Sequence, residues 1–333
     1  MIRIEIREAE SGRRIDRFIK ILLPKVPASF LHRALRENKI KINRRKPKSL
    51  AETLSYPATV ELFFTDDQLR DFGYQPDAKP VSSAKKQAGR NLKILYEDSQ
   101  LLIVDKPVGI AVQKGPKDPV SLTEIALDYL QAQGETKTVT YRPSFCHRLD
   151  KNTGGALVMA KTLEAHHAID NMLKGRALKK YYLAIAEGNP VRWENEVLLR
   201  HLYEKDPKRN MAFLKPFDGT SEQGLTENDH QKTVVSCNVR KLCALTGGKS
   251  LLKVELLSGK SHQIRSQLAF EGFPLAGDPK YGNGTPGKSV QMLLAYELFF
   301  EDPPDPLRYL KGKRFYASIP ANWPVPKDFV LED

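Results

Sequence analysis

Several patterns that mark particular protein classes are scarce or missing in this sequence. The three cysteines, Cys146, Cys237 and Cys243, are odd in number and lack Cys-x-x-Cys spacing, which argues against a disulfide framework, a redox pair or a structural zinc site. No apolar run approaches the ~20 residues of a membrane span, and the alternating start Met-Ile-Arg-Ile-Glu-Ile is unlike a signal peptide. Phosphate-binding glycine loops and dinucleotide fingerprints are also missing. We therefore expect a cytoplasmic protein with no membrane association, no metal and no cofactor.

Acidic residues are in short supply relative to basic ones. The chain has 53 Lys and Arg against 40 Asp and Glu, a net charge of +13 over 333 residues. Residues 1–50 alone hold 15 Lys or Arg and 5 Asp or Glu, so most of the excess lies in that short segment. A polyanion is the partner that such a surplus attracts most strongly, although a basic surface can also be merely solvated. The charge favours RNA as a partner without establishing it.

The first fifty residues have the apolar spacing of a small helical unit. Apolar residues recur at helical intervals from Ile15 to Leu23, and Pro24 marks the expected end of that helix. A second helix is expected after Ser29, a suitable N-cap, and residues 39–43 alternate like a strand that enters a turn at Asn43-Arg44. The apolar positions expected to face inward are Ile15, Phe18, Ile19, Leu22, Leu23, Phe30, Leu31, Ala34 and Leu35.

Basic residues occupy the positions between these apolar ones, and we expect them to form one surface suited to phosphate contacts. The strings Arg-Ile-Asp-Arg-Phe-Ile, Phe-Leu-His-Arg-Ala-Leu-Arg and Lys-Ile-Asn resemble the S4-type RNA-binding domain over roughly residues 12–64. That family usually has Gly after the Asn, where this chain has Arg44. The resemblance implies an RNA-binding domain at residues 1–64 whose contact surface, here called the basic ridge, consists of Arg33, Arg36, Lys39, Lys41, Arg44, Arg45 and Lys46.

The rest of the chain divides into an expected linker and a larger domain. Residues 65–90 lose apolar periodicity and are rich in Pro, Ser and Lys, which is typical of an exposed linker. From Leu92 onward, strands follow one another in hairpin-like succession, and Thr162 can cap a helix that runs to Gly175. We expect an α+β protein in which residues 91–333 form a catalytic domain around a mixed, largely antiparallel sheet.

The most informative stretch is the polar loop His-Arg-Leu-Asp-Lys-Asn-Thr-Gly-Gly at residues 147–155. Reactive groups are often held on such loops, although an Asp here could do no more than accept hydrogen bonds from the turn. Followed by Ala160-Lys161, the loop resembles the central motif of the RluA-type pseudouridine synthases. The resemblance implies that Asp150 is the catalytic nucleophile, that Arg148 fills the space left by an extruded base, and that His147 belongs to the RNA-contact surface.

Two further segments match this family in the expected order. Lys-Lys-Tyr-Tyr-Leu-Ala at residues 179–184 resembles the motif in which a Tyr stacks on the target base, and the position two residues before the Ala is Tyr182. The alternative is that this Tyr is only a packed core aromatic. Gly-Lys-Ser-His-Gln-Ile-Arg at residues 259–265 resembles a helix entry whose Arg pairs with the nucleophile. This implies that Arg265 holds Asp150 bidentately and ionised, with Ser261 as a candidate helix cap and Gly272 as the helix end.

The resemblance covers essentially residues 10–320 and implies a pseudouridine synthase, most similar to the synthase C subgroup that acts on large-subunit rRNA. Asp150 would attack ribose C1′ or remove a proton from C2′, while Tyr182 would stack on the uracil and take up its C5 proton. We expect a monomer whose partner is large-subunit rRNA or a ribosomal assembly intermediate. The chain departs from the family pattern at Gly154, Lys260 and Leu294, where the family usually has Ser, Arg and often His.

Three other functions remain open from the sequence. The same chemistry could act on tRNA. The chain could also be a non-catalytic RNA-binding protein that uses its N-terminal domain alone, which predicts RNA binding that does not depend on Asp150. A glycosidase would need a second carboxylate at ~5–9 Å from the first, and the three motifs offer no such partner.

Overall fold

The structure, a computed structural model, describes residues 1–74, 92–116, 118–134, 141–217 and 233–325. An N-terminal unit contains a three-stranded antiparallel sheet in the order β1-β3-β2, packed against three helices. Its elements are β1 (Ile2–Ile6), α1 (Ile15–Leu22), α2 (Ala28–Arg36), β2 (Ile40–Ile42), β3 (Ala58–Leu62) and α3 (Asp66–Asp71).

The helices of this unit follow the apolar spacing of the sequence. Helix α1 ends just before Pro24, as predicted, and all nine predicted inward positions pack in one hydrophobic cluster, seven of them buried and Leu22 and Leu35 partly buried. The prediction that Ser29 caps α2 is wrong, because the helix begins at Ala28 and Pro27 holds the N-cap position. Pro suits a helix start, where its missing N–H would have no intrahelical acceptor.

The turn that follows β2 has Arg44 at a position where glycine is usual. Asn43 and Arg44 both have positive φ, 50° and 65°, and Ile42 and Arg45 exchange hydrogen bonds between their backbone N–H and C=O groups. This is a two-residue hairpin turn of the type that normally favours Asn-Gly. Arg44 therefore takes the conformation of the usual glycine and leaves its side chain exposed.

Residues 65–74 correct the predicted linker, because they form helix α3 and its end. Thr65 caps α3 by accepting a hydrogen bond from the N–H of Gln68, and the Gln68 side chain accepts from Thr65 in return. Leu69 is buried, and Phe72 and Tyr74 pack against the N-terminal core. The polar sequence hid this helix because it contributes only three apolar side chains. The remainder of the expected linker, residues 75–90, lies outside the described residues.

The larger unit is built on an 11-stranded sheet with the order β10-β9-β11-β12-β8-β13-β7-β5-β4, and β14 and β6 pair beside this path with β13 and β7. The β13–β7 pair is parallel and the other described strand pairs are antiparallel. The mixed, largely antiparallel sheet predicted from the sequence is confirmed. The elements are β4 (Ile94–Glu97), β5 (Leu101–Lys106), α4 (Leu122–Ala132), β6 (Ser144–Phe145), β7 (Gly154–Ala160), α5 (Leu163–Gly175), β8 (Leu178–Glu187), β9 (Val197–Asp206), β10 (Met211–Pro216), β11 (Thr233–Leu245), β12 (Lys249–Leu256), α6 (Gln263–Phe270), β13 (Leu293–Phe300) and β14 (Arg314–Tyr316).

Each face of the large sheet is covered by its own hydrophobic layer. Helices α4 and α6 pack on one face and α5 on the other. Alternation along β8 divides its side chains between the layers: Tyr182 and Ala184 belong to the first, and Leu183 and Ile185 to the second. Thr162 caps α5 by accepting from the N–H of Ala165, as predicted.

The sheet brings two distant parts of the sequence together at β13. Ala295 on β13 pairs with Gly155 of β7 on one side and with Tyr182 of β8 on the other. Two strand spacings separate Gly155 from Tyr182, a distance of roughly 10 Å. The loop that carries Asp150 therefore ends on β7, which is separated from the strand that carries Tyr182 by β13 alone. Across the described ranges, no helix is both long and apolar enough to cross a bilayer.

Candidate active site

A cavity of about 840 Å³ collects residues from all three motifs that the sequence singled out. Its walls come from residues 146–150, from β8 and β9, and from the segment that leads from β12 into α6. Among the described residues that line it, Asp150 is the one carboxylate. The basic side chains in the same lining are Arg148, Lys174, Lys180, Lys205, Lys260 and Arg265. A cavity with this charge attracts an anionic ligand.

A buried lysine holds the loop that carries Asp150. The Lys106 ammonium group donates to the backbone carbonyls of Pro107, Lys151 and Thr153 at 3.0, 3.0 and 2.7 Å. Burial lowers the pKa of Lys106 to about 8, against the opposing charge of Asp150. Lys151 and Thr153, which follow Asp150 in the loop, are thus tied to the end of β5, which limits how far the carboxylate can move.

Arg265 contacts two carboxylates, but not in the way expected. Its Nη1 donates to Asp150 Oδ2 at 3.2 Å, whereas its Nε and Nη2 both donate to Asp278 at 2.8 Å. The predicted pairing with Asp150 is present, and the prediction that it is bidentate is wrong. The two-pronged contact goes to Asp278, because that carboxylate is fully buried behind the guanidinium and also accepts from the N–H groups of Lys280 and Tyr281.

Asp278 holds the Arg265 guanidinium in position. Its burial alone would raise the pKa of the carboxyl, but the hydrogen bonds and charge of Arg265 lower the pKa below its usual value. Asp278 is thus held ionised, and it fixes the plane of the Arg265 guanidinium. The third nitrogen of Arg265 is left to face Asp150, whose side chain is 26% exposed and open to the cavity.

Tyr182 lines the cavity from β8 with 5% of its surface exposed. Burial raises the pKa of its phenol, and the nearby charge of Asp150 raises it further. The ring therefore stays neutral, which suits contact with a base. The same shift weighs against the expected second role of Tyr182 as acceptor of the uracil C5 proton, because the phenolate form is disfavoured.

Arg148 and His147, two and three residues before Asp150, differ in exposure and in charge. Arg148 is exposed and lines the cavity, a position open to RNA. Burial and the charge of Lys180 lower the pKa of His147 to about 3, and its Nε2 accepts from the Val158 N–H at 3.5 Å. His147 is therefore a neutral group that lines the cavity wall, and a charge contact between it and phosphate is not supported.

His262 lines the cavity beside Asp150, and Tyr281 packs against His262. His262 Nε2 lies 3.9 Å from Asp150 Oδ2, and its Nδ1 lies 3.1 Å from the hydroxyl oxygen of Tyr281. The prediction that Ser261 caps α6 is wrong: His262 occupies the N-cap position with a φ of 57°, and no side chain caps the helix. Gly272 follows the helix end with a positive φ, as predicted.

Sequence reasoning missed Asp278, His262 and Tyr281 as site residues. The run Gly-Asp-Pro-Lys-Tyr-Gly from residue 277 carried the signal, since an acidic side chain in a turn between apolar segments has to find a partner once buried. Of the three departures from the family pattern, Lys260 still places a cation in the cavity. Leu294 is buried and pairs with Gly154 between β13 and β7.

The basic ridge lies on the N-terminal unit. Lys39 and Lys41 are half-buried, Lys39 pairs with Glu37 at 2.8 Å and Lys41 lies over the ring of Phe63 at 5.0 Å. The remaining members are exposed, namely Arg33, Arg36, Arg44, Arg45 and Lys46. Five cations are therefore exposed on this surface, of which Arg33 lies over the Phe30 ring at 5.4 Å and Lys46 donates to the Arg36 carbonyl at 3.2 Å. No group of three or more His, Cys, Asp or Glu within the described ranges is arranged to hold a metal ion.

Comparison with known proteins decides the family. The family model for RNA pseudouridylate synthases matches residues 100–270, about half of the chain, including Asp150, Tyr182 and Arg265. This chain belongs to the RNA pseudouridylate synthase family. It is accordingly a pseudouridine synthase.

Individual relatives agree with the family. The chain is 28% identical over 273 residues to ribosomal large subunit pseudouridine synthase C of Rickettsia bellii, covering 81% of this chain and 83% of the relative. It is also 28% identical to the protein of the same name from Haemophilus influenzae, covering 95% and 91% of the two chains. Human RNA pseudouridylate synthase domain containing 4 has the same fold, with a TM-score of 0.51 at 19% identity, covering 69% of this chain and 89% of that one.

Proposed function

We propose that this pseudouridine synthase converts uridines of large-subunit ribosomal RNA to pseudouridine, with Asp150 as the nucleophile. The proposal of rRNA follows the names of the relatives from Rickettsia bellii and Haemophilus influenzae. The assignment of Asp150 follows one observation: it is the one carboxylate among the described residues that line a cavity with six Lys or Arg side chains, and Arg265 donates a hydrogen bond to it.

The reaction needs a group that can act at the ribose while the base turns. In one route Asp150 attacks C1′, the C1′–N1 bond breaks, and its electron pair stays on the uracil. In the other route Asp150 removes the proton from C2′ as that bond breaks. In both routes uracil C5 then bonds to C1′, which displaces the Asp150 carboxylate in the first route and is accompanied by return of the proton from Asp150 to C2′ in the second. The C5 proton passes to water and N1 takes up a proton from water, so the product is an isomer of the substrate and Asp150 is again a free carboxylate. One ionised carboxylate is sufficient for either sequence.

The neighbouring side chains divide the remaining work. Tyr182, which lines the cavity, would contact the uracil with its ring and so keep the detached base in the cavity. Arg265 keeps Asp150 directed at the ribose. The target uridine must leave its stack to reach Asp150, at a cost of a few kcal/mol, and exposed Arg148 is placed to occupy the vacated space.

The basic ridge would supply RNA affinity outside the cavity. Phosphate contacts from Arg33, Arg36, Arg44 and Arg45 carry no base information, so they would set affinity and register rather than the choice of uridine. We propose that residues 1–74 act as an S4-type RNA-binding domain and that the enzyme works as a monomer in the cytoplasm, on rRNA or on a ribosomal assembly intermediate.

The proposal is tested by incubating unmodified large-subunit rRNA and, separately, unmodified tRNA with the wild type and with Asp150→Ala. Pseudouridine is mapped by carbodiimide adducts and primer-extension stops, and RNA affinity is measured alongside. We expect new stops on rRNA with the wild type, none with Asp150→Ala, and equal affinity for both proteins. Asp302→Ala, which removes an exposed carboxylate paired with Lys311, is the matched control and should retain full activity.

Two outcomes would contradict parts of the proposal. Stops on tRNA alone would reject the rRNA substrate while leaving the chemistry in place. Undiminished modification by Asp150→Ala would reject the nucleophile and leave the site without an assigned reactive group. A glycosidase reading lacks support, since the described lining of the cavity has no second carboxylate at ~5–9 Å.

A further inference from the structure

His262 has no role in the reaction as described so far, although it lies nearer to Asp150 than most of the cavity wall. Its Nε2 is 3.9 Å from Asp150 Oδ2. That separation is too long for a direct hydrogen bond, and both side chains line the same open cavity. A substrate hydroxyl on the cavity side of the two polar atoms could therefore lie within about 3 Å of both.

The hydrogen bonds of Tyr281, the neighbour of His262, indicate which imidazole nitrogen carries the proton. The hydroxyl oxygen of Tyr281 accepts a hydrogen bond from the Ala212 N–H at 2.6 Å. The single O–H of Tyr281 is then free to donate to His262 Nδ1, which is 3.1 Å away. In a neutral imidazole one nitrogen accepts and the other donates. We assign the proton of His262 to Nε2, which faces Asp150, because the Tyr281 O–H is positioned to donate to Nδ1.

The surroundings also keep this imidazole neutral. Burial lowers the pKa of His262 to about 4, against the charge of Asp150 and together with the charges of Arg265, Lys280 and Lys205. Near neutral pH the cavity thus presents a neutral N–H donor and a carboxylate acceptor side by side. A group that both accepts and donates a hydrogen bond is the natural bridge between them.

We propose that His262 reads the ribose 2′-hydroxyl of the target uridine, which accepts from His262 Nε2–H and donates to Asp150 Oδ2. The 2′-hydroxyl is attached to C2′, the neighbour of C1′, so it has to lie close to any carboxylate that acts at either carbon. It is both a donor and an acceptor, and it is the group that distinguishes RNA from DNA. This inference rests on the proposed role of Asp150.

Through this bridge His262 would select for the 2′-hydroxyl of the target nucleotide itself, and it would not act as a general RNA contact. Removing the 2′-hydroxyl from that one nucleotide leaves both polar groups without their common partner. Since one hydrogen bond between uncharged and charged groups is involved, we expect a preference for uridine over 2′-deoxyuridine to depend on His262 by about threefold to thirtyfold. The rest of the RNA should contribute equally to both substrates.

The test uses a short RNA stem-loop that carries either uridine or a single 2′-deoxyuridine at the target position. Single-turnover rates over a range of enzyme concentrations give the ratio of the apparent second-order constants for the two substrates. Because the 2′-substituent also changes the intrinsic reactivity, the informative quantity is how this ratio differs between variants. A residue that only supports the fold would lower both constants together and leave the ratio unchanged.

Three full-length variants separate the elements of the proposal. His262→Gln places an amide nitrogen near the position of Nε2, whereas His262→Asn places one near Nδ1 and tolerates the positive φ of this residue. Tyr281→Phe keeps the aromatic ring but removes the hydroxyl that directs the proton to Nε2. We expect the ratio to be largely retained in His262→Gln and to fall by about threefold or more in His262→Asn and in Tyr281→Phe.

A ratio in His262→Asn equal to that of the wild type would overturn the proposal, and so would an unchanged ratio in Tyr281→Phe. If His262→Asn does not fold, as judged by its melting temperature, Tyr281→Phe decides by itself. Asp150→Ala distinguishes this failure from failure of the proposed function. An active Asp150→Ala rejects the nucleophile, whereas an inactive Asp150→Ala with unchanged ratios in the His262 and Tyr281 variants rejects the reading of the ribose alone.

Discussion

Arg265 joins two carboxylates that differ in exposure. Asp278 is fully buried, and Asp150 opens on the cavity. Two of the three guanidinium contacts go to the buried partner, so the direction of Arg265 is set from inside the protein and passed on to Asp150. The side chain that orients the reactive carboxylate is itself oriented by a residue that substrate does not reach.

Asp278→Asn should therefore lower the rate of the chemical step by about 10- to 100-fold, because a carboxylate displaced by about 1 Å loses a near-attack geometry. RNA affinity should stay the same, since Asp278 is buried away from the cavity surface. Single-turnover rates and filter binding measure the two quantities. Asp302→Asn, an exposed carboxylate beside Lys311, is the control, and an equal loss in both variants would contradict the assignment.

At the residue scale, the sequence predicted the side chains whose roles come with a recognised motif. Asp150, Tyr182 and Arg265 were all placed in one cavity by the fold. Asp278 and His262 were not singled out, because their contacts with Arg265 and near Asp150 are not visible in the sequence. The proton position on His262 depends on the Ala212 N–H, which belongs to an edge strand more than 40 residues away.

At the scale of elements, the close approach of β7 and β13 supports the site. Gly155 has a φ of 120°, and a Cβ added there would lie 2.2 Å from the carbonyl oxygen of Ala295. Real Cβ atoms do not come that close to backbone. The strand that follows the Asp150 loop can thus meet β13 only if this position is glycine.

Gly155→Ala should destabilise the protein by several kcal/mol or prevent folding, because both the positive φ and the contact with β13 resist a side chain. Gly175→Ala is a matched control, since nothing lies within 4 Å of its added Cβ and its φ is not in the positive range. It should leave stability unchanged or raise it by up to about 1 kcal/mol. Urea unfolding of both variants measures the difference, and similar stabilities would contradict the account of the β7–β13 contact.

Elements with strong apolar periodicity were predicted well, and their ends were predicted less well. Helix α1 and the alternation along β8 match the sequence pattern because burial of one face determines both. Ser29 and Ser261 failed as caps because a neighbouring residue, Pro27 or His262, takes the capping position. Helix α3 was missed because its stability comes from packing against the N-terminal core rather than from its own pattern.

At the scale of the whole molecule, the proposed role of the basic ridge predicts how RNA affinity depends on salt. Replacing Arg33, Arg36, Arg44 and Arg45 with Gln should reduce the slope of log affinity against log salt by up to about 3, because each phosphate contact releases counterions. Binding of an rRNA fragment at several salt concentrations measures the slope. A control with Gln at exposed Lys288, Arg308, Lys311 and Lys313 has the same net charge. Equal slopes in the two variants would reject the basic ridge as an RNA contact.

Buried histidines predict a pH dependence of stability. Burial lowers the pKa of His147 to about 3 and of His262 to about 4, from 6.5. Below pH 6.5 the unfolded chain takes up protons that the folded chain does not, so the free energy of unfolding should fall as the pH drops from 6.5 toward 4. Each such histidine contributes up to about 1.4 kcal/mol per pH unit. Urea unfolding between pH 4 and 7 should show this slope, reduced in His147→Gln and retained in His32→Gln, whose side chain is exposed.

The charge of the whole chain predicted a basic surface, and the succession of strand patterns predicted a mixed, largely antiparallel sheet. Charge and alternation can both be read directly from the sequence. The order of the strands was not predictable in the same way. Strand β13 lies between β8 and β7, although more than 100 residues separate it from either strand in the chain. Pairing over such separations is selected by the packing of the complete sheet rather than by any local pattern.

The central place of β13 has a consequence for the time at which activity appears during synthesis. The chain is made from its N-terminus, and β13 leaves the ribosome after every other long strand of the described sheet. Until it inserts, β7 with the Asp150 loop and β8 with Tyr182 have no strand between them to set their spacing. A nascent chain shorter than about 300 residues can therefore expose its basic N-terminal surface to RNA before it has an assembled catalytic pocket.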